Sequence, residues 1–389
     1  MAGCTGPQSG PEADLDQVAV TVRDFMSTRR SIPPSPAPME GRGVYNRSSR
    51  VQAAGLSPAV PLLERAASTV SLSNAPETIV IADYGSSEGR NSLAPMAVAI
   101  GALRKRIGPN RAISVVHTDL PGNDFSALFE TLANDPSSYL RNDPAVFALA
   151  VGRSHYQQIL PSGSVTLGWT SWATHWLSRA PALIPDHVVA AYSHDAAVRA
   201  AYARQATEDW RNFFSSRGSE LCTGGRLVVM TMALTDDGGF AFPQLLEALC
   251  GALMGLVDEG FIGKEEVRRM AIPIAGRSRA DIVAPFAQTG QFAGLSIEHL
   301  AMFTGEDTNW REFERDRDAD KFGARWASFM RASAFPTLAL SLDGGRDDPR
   351  ASTFFSKLEN DMAARLGATP EPMLIPLATV VLVKEDRRG

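Results

Sequence analysis

Ile79-Val80-Ile81-Ala82-Asp83-Tyr84-Gly85-Ser86-Ser87-Glu88-Gly89-Arg90-Asn91 is the stretch that decides the fold. An apolar run ends in an acid, a turn rich in Gly and Ser follows, and a helical pattern starts directly after it. That order describes a buried parallel strand emptying into a ligand-binding loop. Glycine lets the backbone turn tightly and approach a ligand, and the helix behind it offers unpaired N–H groups. Gly85 and Gly89 are separated by Ser86, Ser87 and Glu88, which is not the Gly-x-Gly-x-x-Gly spacing of a dinucleotide site. No Gly-Lys-Ser/Thr follows, so the segment is not a P-loop either.

A second strand, Ile113-Ser114-Val115-Val116-His117-Thr118-Asp119, again ends in an acid and follows a helical stretch from about Ser92 to Arg106. An acid at the end of the second strand is placed to accept hydrogen bonds from ribose hydroxyls at the switch point of a doubly wound sheet. Asp83 or Asp119 alone also reads as a turn or capping acid; the two together point to a nucleoside ligand. Further strands are expected at Ala145–Val151, Ser164–Gly168 and Gly225–Met232, with a long helix over Asp195–Arg217. Strands alternating with helices predict an α/β fold with a parallel sheet. From Pro243 to Ile262 apolar residues recur with the spacing of an amphipathic helix. Helical patterning continues to about Ala334, broken near Ile272–Ile274. A largely helical cap over 241–333 is therefore expected between core segments 41–240 and 334–389. The run Leu377–Val383 returns as the last strand.

The chain has 389 residues and a formal net charge of −5, which argues against nucleic acid as a main partner. No stretch approaches the ~20 consecutive apolar residues of a membrane helix. Cys4, Cys222 and Cys250 show neither metal spacing nor a disulfide framework, which suits a reducing cytoplasm. The six histidines form no His-x-x-x-His pair, so a metal site would need distant residues. Residues 1–40, with Pro33-Pro34-Ser35-Pro36-Ala37-Pro38, read as a disordered extension with a short helix near Asp16–Met26.

Four segments in order resemble one family: Tyr45-Asn46-Arg47-Ser48-Ser49-Arg50-Val51-Gln52, Ile81–Asn91, Asp119-Leu120-Pro121-Gly122-Asn123-Asp124-Phe125, and Ser154–Pro161 continuing through Ser171-Trp172-Ala173-Thr174-His175-Trp176-Leu177-Ser178. Together they are similar to the SABATH methyltransferases, which use S-adenosylmethionine (SAM) on salicylate, benzoate, jasmonate and caffeine precursors. The likeness spans about 44–385 and implies a Rossmann-like class I methyltransferase sheet with a helical cap. It also implies SAM as cofactor and a homodimer.

By the same resemblance, Asp83, Gly85 and Asn91 contact the cofactor, Asp119 and Leu120 hold its ribose and adenine, and Ser49 touches its methionine part. Ser154 and His155 fall where the family sets a Ser-Phe pair beside the adenine. Gln52 and Trp176 match the residues that position a substrate carboxylate, while Trp172, His175 and Tyr156 line the substrate pocket. Burial alone would also explain Trp169, Trp172 and Trp176, and Phe125 and Phe129 read as core. His175 reads as a structural or capping histidine rather than a base. Two departures stand out. Glu88 and Arg90 put an acid and a base inside the cofactor loop, and Arg268-Arg269-Met270-Ala271 replaces an acidic stretch suggested to hold magnesium in plant members. No metal is therefore expected. The expected activity is SAM-dependent methylation of a small hydrophobic carboxylic acid (aromatic, indole or fatty) to its ester. N-methylation of a purine-like ring, or a cofactor-binding relative without turnover, are the alternatives.

Overall fold

The structure is a computed structural model that describes residues 36–72, 77–141 and 143–386. Eight strands form one sheet: β1 Ile79–Tyr84, β2 Ile113–Asp119, β3 Val146–Gly152, β4 Val165–Ser171, β5 Leu221–Met232, β6 Gln291–Phe292, β7 Leu295–Thr304 and β8 Pro376–Lys384. Their order is β3-β2-β1-β4-β5-β8-β7-β6. The first five are parallel; β8 runs antiparallel to β5, and β7 antiparallel to β8. The chain moves one way from β1 to β3 and the other way from β4 onward. The ends of β1, β2 and β4 therefore surround a switch point, the usual place for a ligand in an open α/β sheet.

Alternation along β1 explains why the sheet is covered on both faces. Ile79 and Ile81 join one core, while Ala82 and Tyr84 join the other with Trp210, Phe213 and Phe214. The helices are α1 Val44–Ser48, α2 Arg50–Gly55, α3 Val60–Thr69, α4 Arg90–Ile107, α5 Phe125–Asn134, α6 Ala196–Glu220, α7 Pro243–Asp258, α8 Lys264–Arg269, α9 Arg279–Val283, α10 Thr308–Asp316, α11 Ala319–Ser333, α12 Phe335–Ala339 and α13 Ala351–Ala368. α3 and α4 pack together on the first face, and α6 supplies the aromatic core of the second. α13 packs on both α7 and α11, and the three form a helical cap that shares the first core.

Three expectations need correction. The helical reading of 241–333 misses β7, a full sheet strand. A bulge between Ile297 and His299 breaks its period-2 alternation, so apolar positions fall at helix-like intervals. The helical layer also continues past 333, because α13 packs on α11. Phe129 is 45% exposed rather than core.

The proposed helix at Asp16–Met26 lies outside the described residues. The last part of the expected extension is docked. Ala37 N donates to Thr337 Oγ1 at 3.1 Å, Glu40 N to Ala332 O at 2.9 Å, and Glu40 takes a two-pronged ion pair from Arg331 at 2.9 and 3.0 Å. Among the described residues no helix is long and apolar enough to cross a membrane.

Candidate active site

The loop after β1 is built for close approach. Gly85 has φ +86°, and a Cβ there would sit 2.4 Å from Ala173 Cβ. Only glycine fits both demands. Gly85 N and Ser86 N donate to Thr118 O at 2.8 and 3.0 Å, tying the loop to the end of β2. Asp119 closes the turn: its Oδ2 accepts from Ser87 N at 2.8 Å and its Oδ1 from Leu120 N at 2.7 Å. Burial pushes its carboxyl up to about 6; the two backbone donors pull it down without cancelling that effect, and the charge of neighbouring Asp83 adds to the rise.

A cavity of about 200 Å³ opens in front of this loop. It brings together Gly85, Asp119, Leu120, Ser154 and His155, as the resemblance implied. Tyr156, expected in the substrate pocket, lines this cavity and not the acceptor chamber, because its hydroxyl is held by Thr174 O and Trp176 O. The His155 ring tilts against Tyr156 at 4.4 Å between centroids. Burial, then the charges of Arg217 and Arg277, push its imidazole down to about 3, so near neutrality it presents an uncharged flat face. That is why a histidine can stand in for a carbocycle there. Its backbone is fixed from behind by Arg217, which donates to His155 O at 2.7 Å and Gln157 O at 2.8 Å and pairs with buried Glu220 at 2.7 Å. Glu220 also accepts from Tyr84 Oη at 2.6 Å, linking this wall to β1.

A smaller chamber of about 50 Å³ lies beneath the cap and shares Met39, Tyr45, Trp172 and Trp176 with the first cavity. It holds Gln52 and His175 among apolar neighbours such as Met232, Phe242 and Phe329. Trp172 adopts φ +56°, an unusual conformation for a bulky residue, with its N–H donated to Met230 O at 3.2 Å. Backbone strain of this sort gathers at ligand sites. Gln52 Oε1, Trp172 Nε1 and His175 Nδ1 are buried with no protein partner. Buried polar atoms are ordinarily bonded, so three unpartnered ones on residues that line one chamber suit a polar ligand group there. Burial, then Arg277 and His155, push His175 down to about 3.

Three expected cofactor residues do not line either cavity. Asp83 lies under the loop, its Oδ2 shared by Ser92 Oγ at 2.5 Å and His117 Nδ1 at 2.8 Å. His117 Nε2 reaches Tyr139 Oη at 2.7 Å, completing a buried polar chain. Ser49 is buried at the α1–α2 junction, where its N–H bonds Tyr45 O at 2.9 Å. Asn91 lies beside the Tyr45 hydroxyl, which burial pushes up, and favours its ionised form. Glu88 points away from the cavity and accepts from Gly43 N and Asn46 N. Tyr45 and Met39 line both chambers and were not singled out. Tyr45 opens the Tyr45–Gln52 string, and its spacing from Ser49 was the available signal. Met39 sat inside the Pro-rich stretch and gave none.

The larger cavity fits a nucleoside-bearing cofactor. It combines a glycine turn with no room for a side chain, a carboxylate at the second strand's end, and Ser87 Oγ and His155 Nε2, buried and without a partner among the described residues. Residues 37–376 match the family described as SAM dependent carboxyl methyltransferase. The chain is 27% identical over 326 residues to anthranilate O-methyltransferase 2 of Zea mays, covering 77% of this chain and 85% of that one. It is 28% identical over 317 residues to the benzoic acid/salicylic acid carboxyl methyltransferase 2 of Petunia hybrida, covering 78% and 86%. Among solved structures, a loganic acid methyltransferase with SAH superposes with TM-score 0.72 at 21% identity, over 90% of this chain and 99% of that one. The chain belongs to the SAM-dependent carboxyl methyltransferase family, with the class I methyltransferase fold, a helical cap and SAM as its cofactor.

Proposed function

We propose that this protein transfers a methyl group to the carboxylate of a small hydrophobic acid. One observation carries the reading: among the described residues no Asp, Glu, Lys or Arg lines the chamber next to the cofactor cavity, yet it contains neutral hydrogen-bonding groups with unpartnered atoms. Such a chamber selects an apolar body with one polar end. Two relatives named for anthranilate and for benzoic and salicylic acids support an aromatic acid.

Asp119 accepts hydrogen bonds from the ribose, Leu120, Ser154 and His155 form the adenine wall, and Gly85 keeps the loop close enough to touch. When bound, SAM supplies an electrophilic methyl on a positively charged sulfur. Gln52 and Trp176 hold one carboxylate oxygen and leave the other turned toward the shared boundary of the two chambers. Trp172 and Tyr45 line that boundary and keep water out. An acid with a pKa near ~4 arrives already ionised, so no residue has to remove a proton. His175, held neutral and without a carboxylate partner, suits a positioning role. Holding two reactants aligned contributes ~7–11 kcal/mol to such a transfer.

Radiolabelled SAM incubated with a panel of aromatic, indole and fatty acids beside purine-like N-acceptors tests the reading. Label in base-labile esters is expected. Label confined to N-methyl products would overturn it, and so would cofactor binding without any transfer.

A further inference from the structure

The acceptor chamber ends in a wall one residue thick. Segment 272–277 is a stretch of irregular chain, turned at Pro273 by a bond from Ile274 N to Ile272 O at 2.9 Å and clamped from both sides. Ile272 N donates to Val188 O at 2.7 Å, Leu177 N to Pro273 O at 2.7 Å and Ala275 N to His175 O at 2.9 Å. At its far end Leu234 N donates to Arg277 O at 3.1 Å. Ile274 pairs with Trp176 in an isolated antiparallel bridge, so it is fixed in register with the residue proposed to hold the carboxylate. A Cβ on Gly276 would sit 2.6 Å from Ala233 O, which leaves no room for a thicker wall there.

Behind this wall lies a second cleft of about 290 Å³, lined by Tyr202, Ala203 and Ala206 of α6 with Phe240 and Ala275. Ile274 lines both the cleft and the 50 Å³ chamber. It is the residue the two linings share, and its neighbours Ala275 and Gly276 are small. Arg277 does not put a free charge in the opening. Its guanidinium donates to Thr174 O at 2.8 Å and Ala206 O at 3.4 Å and lies 4.4 Å from the Trp210 ring.

We propose that Ile274 sets the length of the acceptor acid. This rests on the carboxylate reading above. With the carboxylate held by Gln52 and Trp176, an acid longer than a single ring or a short chain meets the Ile274 side chain. Removing that side chain joins the chamber to the cleft. The wall keeps its course because its backbone bonds involve no Ile274 side-chain atom, so the space opens instead of collapsing. The acids admitted are then long and unbranched, their chains running along the alanine and aromatic side chains that line much of the cleft, where Arg199, Thr207 and Asp281 add polar groups.

The test measures kcat/KM over benzoic acid and straight-chain acids of increasing length in wild type, Ile274→Ala and the milder Ile274→Val. Wild type is expected to show a sharp cut-off with length. Ile274→Ala is expected to move it outward, with gains of ~10–200-fold for acids just beyond it, the range one methylene's fit can decide. Ala203 is exposed on α6, so Ala203→Trp fills the cleft without burying a new core residue. Added to Ile274→Ala, it is expected to restore the wild-type cut-off. Unchanged length profiles in folded Ile274→Ala and Ile274→Val, with cofactor affinity retained, would overturn the proposal. If wild type esterifies no acid, the carboxylate reading fails instead. Ile274 is then judged by calorimetric binding of the same acids, and equal length dependence in wild type and Ile274→Ala overturns its role.

Discussion

Glu88 caps the helix that carries Tyr45: its Oε1 accepts the Gly43 N–H at 2.6 Å and its Oε2 the Asn46 N–H at 2.9 Å. Asn46 returns the contact, donating to Glu88 O at 3.1 Å and accepting from Arg90 N at 3.2 Å. The acid that looked foreign in the cofactor loop therefore fastens the N-terminal helices over it. A carboxylate suits the positive end of a helix with free N–H groups.

Glu88→Ala removes both acceptors from a side chain that is 1% exposed. Leaving such groups unpaired costs ~1–3 kcal/mol, and more where the lost partner was charged. Chemical denaturation should show a loss in that range. Because α1 and α2 carry Tyr45 and Gln52, KM should rise for both cofactor and acid. Wild-type stability in Glu88→Ala would show that the cap is dispensable.

Cofactor affinity should fall in acid. Asp119 in the free protein titrates at about 6, and ribose hydroxyls donate best to its ionised form. Affinity is therefore full above that value and declines as pH drops through it, by at most ~tenfold per pH unit for one proton. Calorimetry with demethylated cofactor between about pH 8 and about pH 5 reads this slope. Asp119→Asn should bind at least ~tenfold more weakly at neutral pH, as expected for lost bonds to a charged group. A flat profile would remove Asp119 from the ribose.

Gln52→Ala and Trp176→Phe should each lower kcat/KM for acids by ~ten- to a hundredfold, the cost of one hydrogen bond to a charged group. For Gln52→Ala cofactor binding should stay near wild type, because Gln52 lines only the acceptor chamber, whereas Trp176 borders both cavities and its Phe variant keeps the ring that faces the cofactor side. Equal losses in cofactor affinity would point to a structural role.

His175→Gln should retain activity within ~tenfold, against the ~10²–10⁴ lost with a general base. Its imidazole, held down at about 3, also puts no break in the rate near neutrality. The acid limb near 6 that Asp119 imposes should persist in this variant. A thousandfold drop in single-turnover transfer, with both ligands bound, would make His175 catalytic.

Much of the site was legible because it follows local sequence. The strand ends at Gly85 and Asp119 and the strings at Ser154–Tyr156 and Trp172–Trp176 meet around the same two chambers. What escaped depends on distant partners. Asp83 seemed a ligand contact until His117 and Ser92 occupied it. Arg217 and Glu220 carried no signal at the end of a long helix, although they fix the wall under His155. Strand β7 was hidden by its own bulge. The docking of residues 37–40 rests on Thr337 and Arg331, almost a whole chain away.

The position of β8 has a consequence for biosynthesis. The last strand fills the gap between β5 and β7 and bonds to both. While residues 376–384 are still being made, β5 and β7 each present an open edge, and such edges invite pairing with other chains. The nascent protein therefore stays vulnerable to aggregation until that strand leaves the ribosome. A stop codon before Pro376 would leave the sheet split in two, however intact the cofactor loop.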